Sequence, residues 1–141
     1  MATKTVLALD VGSKRIGIAM ATLIAKLASP YGVIENNQQV FTNINQLVNS
    51  HSVTAIVVGL PRSLEGQETD QTRQVKQFVN NLKTKVNVPI YMQDEALTSK
   101  KAEAELSNRK ALYNKEAIDA LAATYILGDF LEEHTELMSE V

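Results

Sequence analysis

Apolar and polar positions change period several times along this chain, and each change predicts an element. From Thr5 to Asp10 the residues are apolar or β-branched and end on an acid. Val11-Gly12-Ser13-Lys14 interrupts the run and a second follows from Arg15 to Met20, the pattern of two strands joined as a hairpin. A short strand at Tyr31 to Glu35 follows Pro30, after which Phe41, Ile44, Leu47 and Val48 recur at helical spacing. Val53 to Leu60 is continuously apolar apart from Thr54 and Gly59 and is closed by Pro61, as expected of a central strand covered on both faces. A polar loop from Arg62 to Gln67 leads to a helix marked by Val75, Phe78, Val79, Leu82 and Val86, and then to a strand from Pro89 to Gln93. Thr98 or Ser99 is placed to cap a helix running to Leu106, and Asn114 to cap a last helix from Lys115 to about Glu132. Three strands in a meander followed by strand–helix alternation predict an α/β fold: a five-stranded mixed sheet with helices on both faces. Doubly wound nucleotide-binding sheets do not usually begin with three consecutive strands, whereas a ribonuclease H-like sheet does.

Length changes this picture little. A chain of 141 residues, 45% of them hydrophobic, fits one domain spanning 1–141 without a covalent staple. The absence of Cys excludes disulfides, thiolate metal sites and a thiol nucleophile, and His51 and His134 lack ligand spacing. No apolar run approaches the ~20 residues of a membrane helix, and the residues up to Asp10 lack a signal-type apolar core, so no membrane partner and a cytoplasmic location are expected. The net charge of −2 argues against a strongly basic clamp, but the acidity is terminal: residues 132–141 carry four acids and no Lys or Arg. This tail reads as a solvated helix end, and the rest of the chain is slightly basic. A nucleic-acid ligand stays open.

The acids carry the chemistry. Asp10 ends a strand and is followed within two residues by Gly12, which admits close backbone approach; it is either a ligand group at a strand's carboxyl end or the acid of an Asx-turn. Asp94 and Glu95 repeat the placement after a second strand, with helix capping as their alternative role. Asp119 shares a helix face with Ala122, Ala123, Ile126, Leu127 and Phe130, so its carboxylate points coreward and needs a cation, hydrogen bonds or the helix dipole. Three acids from separate elements at one end of a sheet make an all-oxygen site suited to Mg²⁺ or Mn²⁺. Phosphodiester cleavage is the chemistry such a site serves, with two ions roughly 3.5 to 4 Å apart.

Leu9-Asp10-Val11-Gly12-Ser13-Lys14-Arg15-Ile16-Gly17-Ile18-Ala19, Val57-Val58-Gly59-Leu60-Pro61, Gln71-Thr72, Asp94-Glu95-Ala96-Leu97-Thr98-Ser99 and Ile118-Asp119-Ala120-Leu121-Ala122-Ala123 together resemble the YqgF (RuvX) family. The resemblance covers nearly the whole chain. It implies a ribonuclease H-like fold of strand order 3-2-1-4-5 and a hydrolase, a divalent-metal nuclease of the pre-16S ribosomal RNA 5′ end. Alternatives are a Holliday-junction resolvase acting on branched DNA or a binding-only RNA- or ribosome-associated domain. The family's catalytic and metal-binding acids fall on Asp10, Glu95 and Asp119. In that strand order Glu95 follows a strand two places from that of Asp10, roughly 10 Å away, and must lean across a strand that offers no carboxylate. Ala96 stands where the family usually has Arg, and Ala21-Thr22 where it commonly has Ser-Asp, departures that bear on substrate contacts.

Lys14, Arg15, Arg62, Lys100 and Lys101 are candidates for phosphate contacts, as are Gln71 and Thr72 at the start of a helix; each cation could equally serve solubility, and strand alternation leaves the face of Arg15 open. Arg109, Lys110 and Lys115 extend the basic set. Asp-Val-Gly-Ser-Lys also looks like the first phosphate loop of actin-like and sugar-kinase ATPases, which need two such domains around one nucleotide.

Overall fold

The computed structural model describes residues 3–61, 67–95, 104–105 and 115–134. Strands β1 (Thr5–Val11), β2 (Arg15–Thr22) and β3 (Ser29–Glu35) are followed by helix α1 (Val40–Ser50), β4 (Val53–Leu60), α2 (Asp70–Lys83), β5 (Ile90–Asp94) and α3 (Lys115–Glu133). The five strands form one sheet in the order β3-β2-β1-β4-β5. β2 is antiparallel to both β1 and β3, while β1–β4 and β4–β5 are parallel. The sheet is therefore mixed, as the three-strand start predicts.

Strand alternation sorts the side chains into two cores. Leu7, Leu9, Val11, Ile16, Ile18, Ile56 and Val58 face α1 and α2, which contribute Val40, Ile44, Val48, Val75, Phe78, Val79 and Leu82. Val6, Ala8, Ala19, Ala21 and Val57 face α3, which contributes Ala123, Ile126, Leu127 and Phe130. The second face is built from small residues, and α3 lies close on it. At Gly17 a Cβ would sit 2.0 Å from the Asp119 carbonyl oxygen, so any side chain where α3 crosses β2 would force the helix backbone away. The same parity turns Asp10, Arg15, Gly17, Gly59 and Glu95 to the α3 face.

Boundaries differ from expectation where side-chain chemistry overrides the apolar pattern. α2 begins at Asp70, in keeping with Gln71 and Thr72 at a helix start, and there Thr69 and Thr72 form a reciprocal capping box. It stops at Lys83 rather than reaching Val86; the Thr84 N–H turns back to the carbonyls of Asn81 and Leu82, and Val86 packs into the core from the segment beyond. β3 starts at Ser29 and includes Pro30, which an edge strand tolerates. The Thr98/Ser99 and Asn114 caps lie outside the described residues, as do 135–141 of the acidic tail; Glu132 and Glu133 belong to α3. Among the described residues no helix is long and apolar enough to cross a membrane.

Candidate active site

Asp10 is the penultimate residue of β1. The turn after it is closed by the Gly12 N–H, which donates to the Arg15 carbonyl (2.9 Å), and braced by Asn36, whose Nδ2 donates to the Gly12 carbonyl (2.8 Å). A Cβ on Gly12 would meet that Arg15 oxygen at 2.8 Å, which is why the tight turn takes glycine. The Asp10 carboxyl bonds across the sheet to Glu95.

Glu95 directly follows β5, where its N–H donates to the Leu60 carbonyl (3.2 Å). Its side chain leans over β4 and is only 8% exposed. Gly59 is what lets it through: a Cβ there would stand 2.7 Å from Glu95 Oε2 and 2.4 Å from Ile126 Cδ1. Asp94, on the opposite parity, is exposed. Sequence reasoning required Glu95 to lean but missed Gly59 as the means. A glycine interrupting an otherwise apolar central strand is the signal that was available.

Burial pushes the Glu95 carboxyl up to about 9, and the neighbouring Asp10 and Asp94 charges add to the rise. Burial likewise raises Asp10 to about 6; the hydrogen bond with Glu95 opposes this rise and the Asp119 charge adds to it. Between these values the pair retains a proton, with Glu95 as donor and Asp10 as acceptor. Among the described residues, Glu95 Oε2 is buried without a hydrogen-bond partner. An orphaned acid oxygen beside a second carboxylate is expensive to maintain, and the all-oxygen donor set fits a hard divalent cation that would displace the proton.

Asp119, in the first turns of α3, is held differently. Arg15 Nε donates to its Oδ2 at 2.8 Å, and the two side chains are 32% and 26% exposed. The coreward carboxylate expected from the helix face therefore finds a cation from β2. Among the described residues no three His, Asp or Glu are gathered closely enough to hold a metal ion. The structure joins Asp10 to Glu95 and leaves Asp119 nearby, tied to Arg15.

The other predicted contacts scatter. Lys14 is exposed in the β1–β2 turn, bordering an open cleft of about 580 Å³ that Arg15 also lines. Gln71 is exposed on a separate groove of about 430 Å³ between α1 and α2, lined by none of the three acids. Thr72 is corrected: it is fully buried, its hydroxyl donates to the Pro61 carbonyl, and it is committed to the capping box, so it is no phosphate donor. Arg62, Lys100, Lys101 and Ala96 lie outside the described residues, as do Arg109 and Lys110.

Comparison with known proteins adds to this geometry. The chain is similar to a protein of a Sulfurihydrogenibium species named "Putative pre-16S rRNA nuclease", 40% identical over 129 residues, covering 90% of this chain and 89% of that one. A Chloroflexus aggregans protein of the same name is 38% identical over 136 residues, covering 94% and 96%. Among solved structures, the Thermus thermophilus RuvC complex with a Holliday junction substrate matches with a TM-score of 0.60 at 16% identity, covering 94% of this chain and 96% of that one. The fowlpox virus resolvase complexed with Holliday junction DNA matches at 0.54 and 9% identity, covering 92% and 97%. At such identities the likeness is one of fold, and it makes this sheet ribonuclease H-like. The family model described as "RuvX: Holliday junction resolvase" matches residues 4–133, and with relatives of this identity over most of their length the chain belongs to the RuvX (YqgF) family.

Proposed function

We propose that this chain is a divalent-metal-dependent nuclease that hydrolyses phosphodiester bonds, acting in the cytoplasm on the 5′ end of precursor 16S ribosomal RNA, in association with the ribosome. The observation that carries the reading is the buried Asp10–Glu95 carboxyl pair with its unpartnered Glu95 Oε2, in a chain whose relatives bear that nuclease name. Asp10, Glu95 and Asp119 are the groups that would hold Mg²⁺ or Mn²⁺, in two ions. When bound, such ions supply charge stabilisation at the phosphoryl oxygens and an activated water.

The chain's own residues do the rest. Asp10 and Glu95 present two carboxyls from different strands on one small-residue face, and Glu95 would have to give up its proton to serve as a cation ligand. The closeness of α3, fixed at Gly17, sets Asp119 at the rim. Lys14, Arg15 and Gln71 are the described candidates for backbone contacts, with Arg62, Lys100 and Lys101 from the remaining segments.

The family description favours a second reading, a resolvase of branched DNA, which would need two such sites and hence a pair of chains. Cleavage of matched single-stranded RNA, duplex RNA and four-way DNA junctions with Mg²⁺ or Mn²⁺ separates the two. Cut RNA and intact junctions are expected. Symmetric cutting of junctions alone would establish the resolvase, and binding without cleavage that is indifferent to Asp10→Asn would overturn both.

A further inference from the structure

Arg15 is committed to Asp119 through one donor, although a guanidinium can engage a carboxylate with two. Its remaining N–H groups have no hydrogen-bond partner among the described residues. The side chain joins Asp119 to the open cleft beside the β1–β2 turn, which Ser13, Lys14 and Asn36 also line. Glu35 and Glu116 also line this cleft; Glu35 accepts from Asn37. Without a cation, Arg15 offsets the charge that Asp119 adds beside Asp10. A divalent ion drawn to the same carboxylates reverses the balance, because it repels the guanidinium and competes for Asp119. A partly exposed ion pair made through a single donor is weak enough to yield. The helix backbone cannot follow, since the Asp119 carbonyl is lodged against Gly17, so the exchange takes place in side chains alone.

Resting on the reading of Asp119 as a cation ligand, we propose that Arg15 is an internal competitor for the cation. It holds Asp119 in the cation-free protein and, once the cation claims that carboxylate, turns into the cleft to take a phosphate of the nucleic-acid backbone. Cation entry and phosphate capture are thereby coupled through one side chain.

Two binding measurements test this on the full chain. Mn²⁺ binding, read by electron paramagnetic resonance, is expected to tighten about fivefold in Arg15→Gln, the worth of one partly exposed pair. Arg15→Lys, which keeps the charge and checks that the fold tolerates substitution, should stay close to the parent. Lys14→Gln, which removes a neighbouring charge without touching Asp119, should shift binding less than Arg15→Gln. Unchanged or weaker Mn²⁺ binding in Arg15→Gln overturns the proposal and makes Arg15 a fixed support. In the second measurement, affinity for a single-stranded RNA probe is taken in chelator. Asp119→Asn, which frees Arg15, should bind more tightly than the parent by a larger factor than Asp10→Asn, which removes the same charge without freeing it. The excess should vanish in Arg15→Gln/Asp119→Asn. Equal gains in the two acid variants, or a gain that survives the double substitution, overturn the proposal. The Mn²⁺ measurement decides the competition whether or not any nucleic acid is cut, so a chain without nuclease activity overturns only the proposed function.

Discussion

Glu95 stores the cost of the site in a single side chain. Its carboxyl and that of Asp10 are raised to about 9 and about 6 from ordinary values of 4.5 and 3.8, so the folded chain binds these protons more tightly than the unfolded one. Stability from this source is complete below the unfolded values and is lost as pH rises through the folded ones. The melting temperature of metal-free protein should therefore fall between about pH 4.5 and pH 9, and Glu95→Gln should flatten that fall, melt higher than the parent at pH 8 and abolish cleavage. Calorimetry across the pH range checks the sign; a parent more stable at pH 8 than at pH 5 would refute it. Saturating Mg²⁺ or Mn²⁺ should raise the parent's melting temperature at pH 8 and leave that of Glu95→Gln nearly unmoved. Asp94→Asn, on the exposed side of the strand end, should keep its activity.

At the scale of elements, glycines and caps decide what sits where. Gly59→Ala would force a Cβ to within 2.7 Å of the Glu95 carboxylate and 2.4 Å of Ile126. Urea denaturation should show a loss of about 1 to 3 kcal/mol, with cleavage falling more than stability because Glu95 is displaced. Gly17→Ala meets backbone rather than a movable side chain, so it should cost more and shift α3. Thr72→Val should lose about 0.5 to 2 kcal/mol as the capping box fails, whereas Gln71→Ala should cost almost nothing. The strands, their mixed order and the two-sided helices were legible because alternation and helical period are written in consecutive residues. Asp10 and Glu95 were legible as strand-end acids. Their meeting was legible only as a required lean of Glu95 across β4; the means was not, since it depends on Gly59, which lies between them in space and far from both in sequence. The Arg15–Asp119 pair was hidden for the same reason: alternation along β2 fixes the face of Arg15 only once the sheet's two faces are known. Thr72 misled because a hydroxyl at a helix start serves a phosphate or its own cap with the same local pattern.

For the whole molecule, the two faces of the sheet divide the labour. The α1/α2 face carries the larger aliphatic core, while the α3 face, lined by alanines and glycines, is where a helix lies close enough to set Asp119 near Asp10. With a net charge of −2, binding to a polyanion must rest on local cations. Affinity for RNA should fall steeply with salt, and removing Lys14 should shrink the logarithmic slope by about 0.7 units without altering sequence preference. Salt-independent binding would point to a different ligand. The strand order also ties two distant positions together across the family. Because β4 separates Asp10 from Glu95, the outer carboxylate can take part only while position 59 carries no side chain. A relative that acquires Ala or a larger residue there must move the carboxylate at position 95 aside, or supply the carboxylate from β4 itself. Gly59→Asp combined with Glu95→Ala would recreate that exchange, so positions 59 and 95 should vary as one character among descendants of this fold.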